Sequence, residues 1–96
     1  MDRELVKRLL LGILASPEFD PLHIEPSQIT EETSLLNEIG FDSLQLLDLI
    51  VAMERTFGFR ANTRHLNVEM FDRFGNVVDF VVSAVPGEGP HVEQTA

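Results

Sequence analysis

The stretch "GFDSLQLLDLIVAMERTFG", Gly40 to Gly58, decides how this chain is read. Between its two glycines apolar residues recur at helical spacing, with no Pro or Gly to interrupt them. Asp42 stands where an N-cap belongs, its carboxylate able to accept first-turn N–H bonds and well placed at the positive end of the helix dipole. Phe57-Gly58 supplies the stop, because glycine readily takes the left-handed conformation that ends a helix. Gln45, Asp48, Ala52 and Arg55 trace a narrow polar or small stripe, while Leu46, Leu47, Leu49, Ile50, Val51, Met53 and Phe57 fill nearly everything else. One core face needs only about a third to a half of the circumference. The helix is therefore central in a bundle, or it offers part of its apolar surface to partners or an apolar ligand.

Upstream, Leu5, Val6, Leu9, Leu10, Ile13 and Leu14 share one helical face, predicting an amphipathic helix from Asp2 to Ala15 that Ser16-Pro17 ends. Acidic Asp2 and Glu4, with no small-x-small site after them, argue against a signal peptide. Pro17, Pro21 and Pro26 exclude a continuous helix in the connection that follows, although a single turn fits around Leu35–Ile39. An unstructured connection of that length is unusual in a compact domain and hints at function. Downstream, a short turn fits at Val68–Phe71, and a last helix starts near Gly75-Asn76. Its "NVVDFVVSAV" is β-branched enough to read as a strand by propensity, but a lone strand would have nothing to pair with. Residues 86–96, "PGEGPHVEQTA", form a Pro/Gly tail expected to be disordered. The predicted fold is all-α: an antiparallel bundle of three longer helices and one short one, within residues 1–85, with a long first crossover.

Bulk properties narrow the function. Ninety-six residues suit one domain, with little room for a deep catalytic cavity. Sixteen acidic residues against seven basic ones give a net charge of −9, which repels nucleic acid and attracts basic protein patches. No cysteine is present, excluding disulfides, thiolate chemistry and Cys-based zinc sites, and fitting a reducing, cytoplasmic setting. No apolar run approaches the ~20 residues of a membrane span.

Enzyme readings find no support. "GFDSL" lacks the second glycine of the nucleophile elbow, and Ser43 has no histidine near it in sequence for a small hydrolase. His23, His65 and His91 lie in separate segments without helical metal-ligand spacing, and neither an EF-hand nor a glycine-rich phosphate loop occurs. Ser43 keeps its interest for a physical reason. A serine in the first turn, after the sharp Gly-Phe-Asp approach, projects its hydroxyl outward. A phosphate esterified there would meet the free N–H groups and dipole of the helix end. On spacing alone, plain capping is the commoner role for an Asp-Ser pair.

The run "TSLLNEIGFDSLQLLDLIVAMERTFGF" resembles the acyl carrier protein family. The match lies in Leu36, then Ile39, Gly40, Phe41, Asp42, Ser43 and Leu44, then Asp48, Glu54, Phe57 and Gly58, and extends loosely over Leu5 to Val85. The resemblance implies a non-catalytic carrier with no metal site of its own. Ser43 would bear 4′-phosphopantetheine, taken from coenzyme A by a separate magnesium-dependent phosphopantetheinyl transferase, and acyl groups would ride on its thiol as thioesters. Asp42 would cap the helix and sit near the transferase's metal. Leu44 and Val51 would give apolar contact, and Asp48 and Glu54 charge, to acyl-loading, ketosynthase-type or acyltransferase partners with basic patches. Leu47, Ile50 and Met53 would shelter the acyl chain, and the carrier would be a monomer.

Departures from the family pattern bear on pathway. Gln45 and Arg55 replace acids common in carriers of fatty-acid synthesis, and "RANTRHLN" replaces an acidic segment. These favour polyketide or other specialised acyl biosynthesis over a fatty-acid carrier. Phe41, where peptidyl carriers commonly have glycine, disfavours that class. The alternative of another kind is a carrier-like docking adaptor whose Ser43 is never modified.

Overall fold

The computed structural model describes residues 2–61 and 67–85, and among them three α-helices carry the fold. Helix α1 spans Arg3–Leu14, α2 Ser43–Phe57 and α3 Phe74–Ala84. The expectation of disorder for 86–96 lies outside the described residues. No strand forms among the described residues, and the valine-rich segment is helical. Its Phe74, Val77, Val78 and Val81 fall on one face and are buried, so burial at a 3–4-residue period outweighs β-branched propensity.

The core is one cluster. Val6, Leu10 and Leu14 of α1 meet Leu46, Leu49, Ile50, Met53 and Phe57 of α2, and the buried face of α3 closes it. Two terminal signals act as the residue types require. The Asp2 carboxylate accepts from Leu5 N–H at the start of α1, and Gly58 ends α2 at φ 73°.

The long crossover has more structure than one turn. Pro17 and Pro26 each open a short 3₁₀ segment, Pro17–Leu22 and Pro26–Gln28, since a proline's missing N–H costs nothing at a first helical position. Phe19 is the buried residue of the first of these segments, and Leu35 is buried further along. The expected turn at Leu35–Ile39 is a wide one, with Gly40 N–H reaching Leu35 C=O at 3.0 Å.

The crossover also caps α3, which begins one residue before the expected Gly75. Arg73 cannot cap, so Phe74 N–H donates to Thr33 C=O at 2.7 Å and Gly75 N–H to Glu31 C=O at 2.9 Å. Side chains reinforce this junction. The Arg3 guanidinium donates to both Glu31 carboxylate oxygens, at 2.6 and 2.8 Å, and to Asp79 at 3.0 Å, while Lys7 Nζ lies 3.3 Å from Glu31. Arg3 foremost, with Lys7, holds the Glu31 carboxyl down to about 2, against a partial opposing effect of burial. The crossover is thus tied to α1 and α3, which fixes the direction from which the chain arrives at α2.

Candidate functional site

That arrival is built residue by residue. Gly40 turns the chain at φ 91°, a left-handed conformation that side-chain-bearing residues resist. Phe41 is buried, its ring 5.3 Å from that of Phe19. This aromatic anchor sits immediately before the N-cap, and the two residues after it, Asp42 and Ser43, are exposed. Asp42 is extended and caps α2: its carboxylate accepts from Gln45 N–H at 2.8 Å, while Gln45 Oε1 accepts from Asp42 N–H at 3.0 Å. This reciprocal pair is a capping box. Leu46 N–H bonds to Asp42 C=O, leaving the amides of Ser43 and Leu44 without an intrahelical acceptor. Ser43 and Leu44 are exposed, Leu44 at 72%.

Behind the Ser43 hydroxyl lies an apolar cleft of about 260 Å³. Leu46, Leu47 and Ile50 of α2 form one wall, and Asn67, Val68 and Phe71 of the short 3₁₀ helix Val68–Asp72 form the other. An exposed hydroxyl at the mouth of an apolar cleft, beside unpaired amides and a positive helix end, suits an anionic ester with an apolar load beyond it. Among the described residues the cleft lining is apolar apart from Ser43 and Asn67. Among the described residues no group of three His, Cys, Asp or Glu side chains is placed to hold a metal.

The comparisons with known proteins agree with this geometry. Residues 20–81 match the family model described as "Phosphopantetheine attachment site". The acyl carrier protein of Coprothermobacter proteolyticus is 34% identical over 86% of this chain and 94% of its own length. The chain belongs to the acyl carrier protein family. The acyl carrier protein of Saccharopolyspora erythraea is 33% identical over 88% of this chain and 83% of its own, and that of Thermotoga maritima 34% identical over 65% and 74%. The cofactor of the family is covalently attached 4′-phosphopantetheine, and the residues here fit it: an accessible hydroxyl, free amides and an apolar recess.

In this carrier the surplus apolar surface of α2 lies outside the core. Leu44, Leu47 and Val51 form an exposed row, with Asp48 and Arg55 exposed on the same side. Glu54 differs from the other docking candidates: half-buried, it accepts from Ala61 N–H at 2.7 Å and so secures the chain after α2. Leu47 and Ile50 line the cleft, whereas Met53, fully buried in the core, is not among its lining residues.

The sequence reading did not single out Gln45 as half of a capping box, nor Asn67, Val68 and Phe71 as the opposite wall. Asp-x-x-Gln before an apolar run is itself a capping-box signature and was available as a signal. The wall had only the i, i+3 spacing of Val68 and Phe71, which does not say what they face.

Proposed function

We propose that Ser43 is the attachment serine and that this chain presents acyl groups to a succession of enzymes. The observation that carries the reading is the exposed Ser43 hydroxyl at the mouth of the apolar cleft. When bound, the arm supplies the thiol that a cysteine-free chain lacks. A separate phosphopantetheinyl transferase performs the attachment, with Asp42 near its magnesium ion. Leu47 and Ile50 receive the near part of the acyl chain, and Met53, one turn further along α2, is the core residue that a longer chain would reach.

Partners dock on Leu44 and Val51, with Asp48 and the second oxygen of Glu54 offering charge to basic patches. The functional domain is residues 1–85, working as a cytoplasmic monomer. We assign the pathway to polyketide or other specialised acyl biosynthesis. Gln45 now has a local explanation in the capping box, so among the described departures exposed Arg55 and Arg60 support that assignment. Their charge suits a partner surface that is not uniformly basic.

Intact mass measurement after incubation with coenzyme A, magnesium and a broad-specificity transferase tests the attachment. A gain of one phosphopantetheine, absent in Ser43→Ala, is expected. No gain on the wild-type chain leaves the docking adaptor, and a gain surviving Ser43→Ala places the arm elsewhere. Thioester analysis from native cells tests the pathway; straight-chain fatty acyl loads alone would return it to fatty-acid synthesis.

A further inference from the structure

The two walls of the cleft are held very differently. One belongs to α2, a capped helix of fifteen residues with five side chains in the core. The other is the short helix Val68–Asp72, in which Phe71 is the single buried residue and Val68 is 59% exposed. A wall so thinly anchored by packing needs another tie, and Asp72 supplies it. Its Oδ1 accepts from Ser34 Oγ at 3.0 Å and from Asn37 Nδ2 at 3.1 Å. Ser34 is buried, and its hydroxyl oxygen also accepts Asn37 N–H at 2.9 Å, capping the turn Leu35–Ile39. Both donors therefore sit on a pinned element, the one that leads through Gly40 and Phe41 to Ser43.

We infer that Asp72 is a positioning residue that sets how long an acyl chain this carrier can shelter. The inference rests on the attachment reading above. The cleft is small, about 260 Å³, so a short acyl chain fits between its walls while the short helix stays in place and a long one outgrows them. For a longer chain to stay sheltered, Val68 and Phe71 must move away from Leu47 and Ile50, because the α2 wall is the stiffer of the two. Such a displacement strains the bonds from Ser34 and Asn37 to Asp72, so the latch resists long cargo and leaves short cargo unaffected. Asp72 is not itself among the cleft-lining residues, and it acts through the helix it ends.

The test uses the full chain loaded at Ser43 with butyryl, octanoyl or dodecanoyl arms by a broad-specificity transferase, each verified by mass. The quantity read is the rise in melting temperature of each acyl form over the unacylated form of the same variant. In the wild type this rise grows from butyryl to octanoyl and stops growing at dodecanoyl. In Asp72→Ala, and in Asn37→Ala, which opens the latch from the other side, it continues to grow at dodecanoyl. Asp72→Asn keeps an acceptor oxygen and restores the wild-type profile. If the variants shift every form equally, leaving the chain-length profile unchanged, Asp72 is merely structural and the inference is overturned. No mass gain on the wild-type chain would instead refute the attachment reading, and the inference with it.

Discussion

Asp42 caps α2 and, on the attachment reading proposed above, would also place a negative charge beside the modified serine; two substitutions separate these roles. Asp42→Ala removes the acceptor of the 2.8 Å bond from Gln45 N–H, while the return bond from the residue-42 backbone N–H to Gln45 Oε1 can persist. Loss of such a cap costs about 1 kcal/mol, within a range of roughly 0.5–2. For a domain of this size ~1 kcal/mol corresponds to a fall of roughly 4–8 °C in melting temperature. Asp42→Asn keeps a side-chain oxygen at the same place, and Asn caps about as well as Asp. It should melt within about 2 °C of wild type, the difference being the helix-dipole contribution of one exposed charge, a few tenths of a kcal/mol. Thermal melts followed by circular dichroism read this first half. The second half is the rate of arm attachment, followed by mass. With the fold intact, Asp42→Asn should still be modified more slowly than wild type, since the charge next to the transferase's metal is gone. An Asn variant that melts as low as the Ala variant would refute the capping account. One that melts and is modified like wild type would reduce Asp42 to a cap.

Three further perturbations follow from the same geometry. In Gly75→Ala the new Cβ would lie 3.1 Å from Glu31 Cβ and Oε1 and 3.2 Å from its carbonyl oxygen. That carbonyl cannot retreat without giving up its bond from Gly75 N–H. Overpacking of ~1–3 kcal/mol should outweigh a helix-propensity gain of at most ~1, so urea unfolding should show a net loss of about 1 kcal/mol. Glu54→Ala deletes the 2.7 Å acceptor for Ala61 N–H; with the site half exposed, a loss of about 1 kcal/mol in the same assay and faster amide exchange at Ala61 are expected. Glu31 ionises at about 2 in the folded chain against its ordinary 4.5, so its contribution is fully present above about pH 5 and is lost as pH falls from there toward 2. The melting-temperature gap between wild type and Glu31→Gln should therefore narrow across that window, and a gap constant down to pH 2 would contradict it.

Local signals made the three main helices and the turn into α2 legible in the sequence. Asp42, Gly40 and Gly58 act through their own backbones or the next three residues, and the apolar period of α1 and α2 needs no knowledge of what they face. What sequence pattern could not supply is whatever depends on residues far apart in the chain. The caps of α3 are carbonyls of Glu31 and Thr33, some forty residues away. The Arg3–Glu31–Asp79 cluster joins three segments, and the second cleft wall comes from residues 67–71. Nor could side-chain chemistry alone reveal that one carboxylate oxygen of Glu54 accepts from Ala61 N–H, seven residues on.

The same bookkeeping changes what the net charge of −9 means. At least six of the sixteen acids are engaged within the fold: Glu31 and Asp79 with Arg3, Glu32 with Arg73, Asp42 in the α2 cap, Glu54 with Ala61 and Asp72 with Ser34 and Asn37. Of the two acids on α2, Asp48 is exposed, and among the described residues it makes no such bond. Around it lie Leu44, Leu47 and Val51, at 72, 51 and 46% exposure, with Arg55 on the same side. Long-range attraction depends on the total charge, so on the docking reading proposed above acidity would still draw a basic partner in and set the encounter rate. At contact, the proposed surface is mostly apolar, and its burial would supply the affinity. The two stages would then use different residues. Leu47 would serve the docking face and the cleft at once, so cover by a partner and entry of cargo would meet on the same side chain.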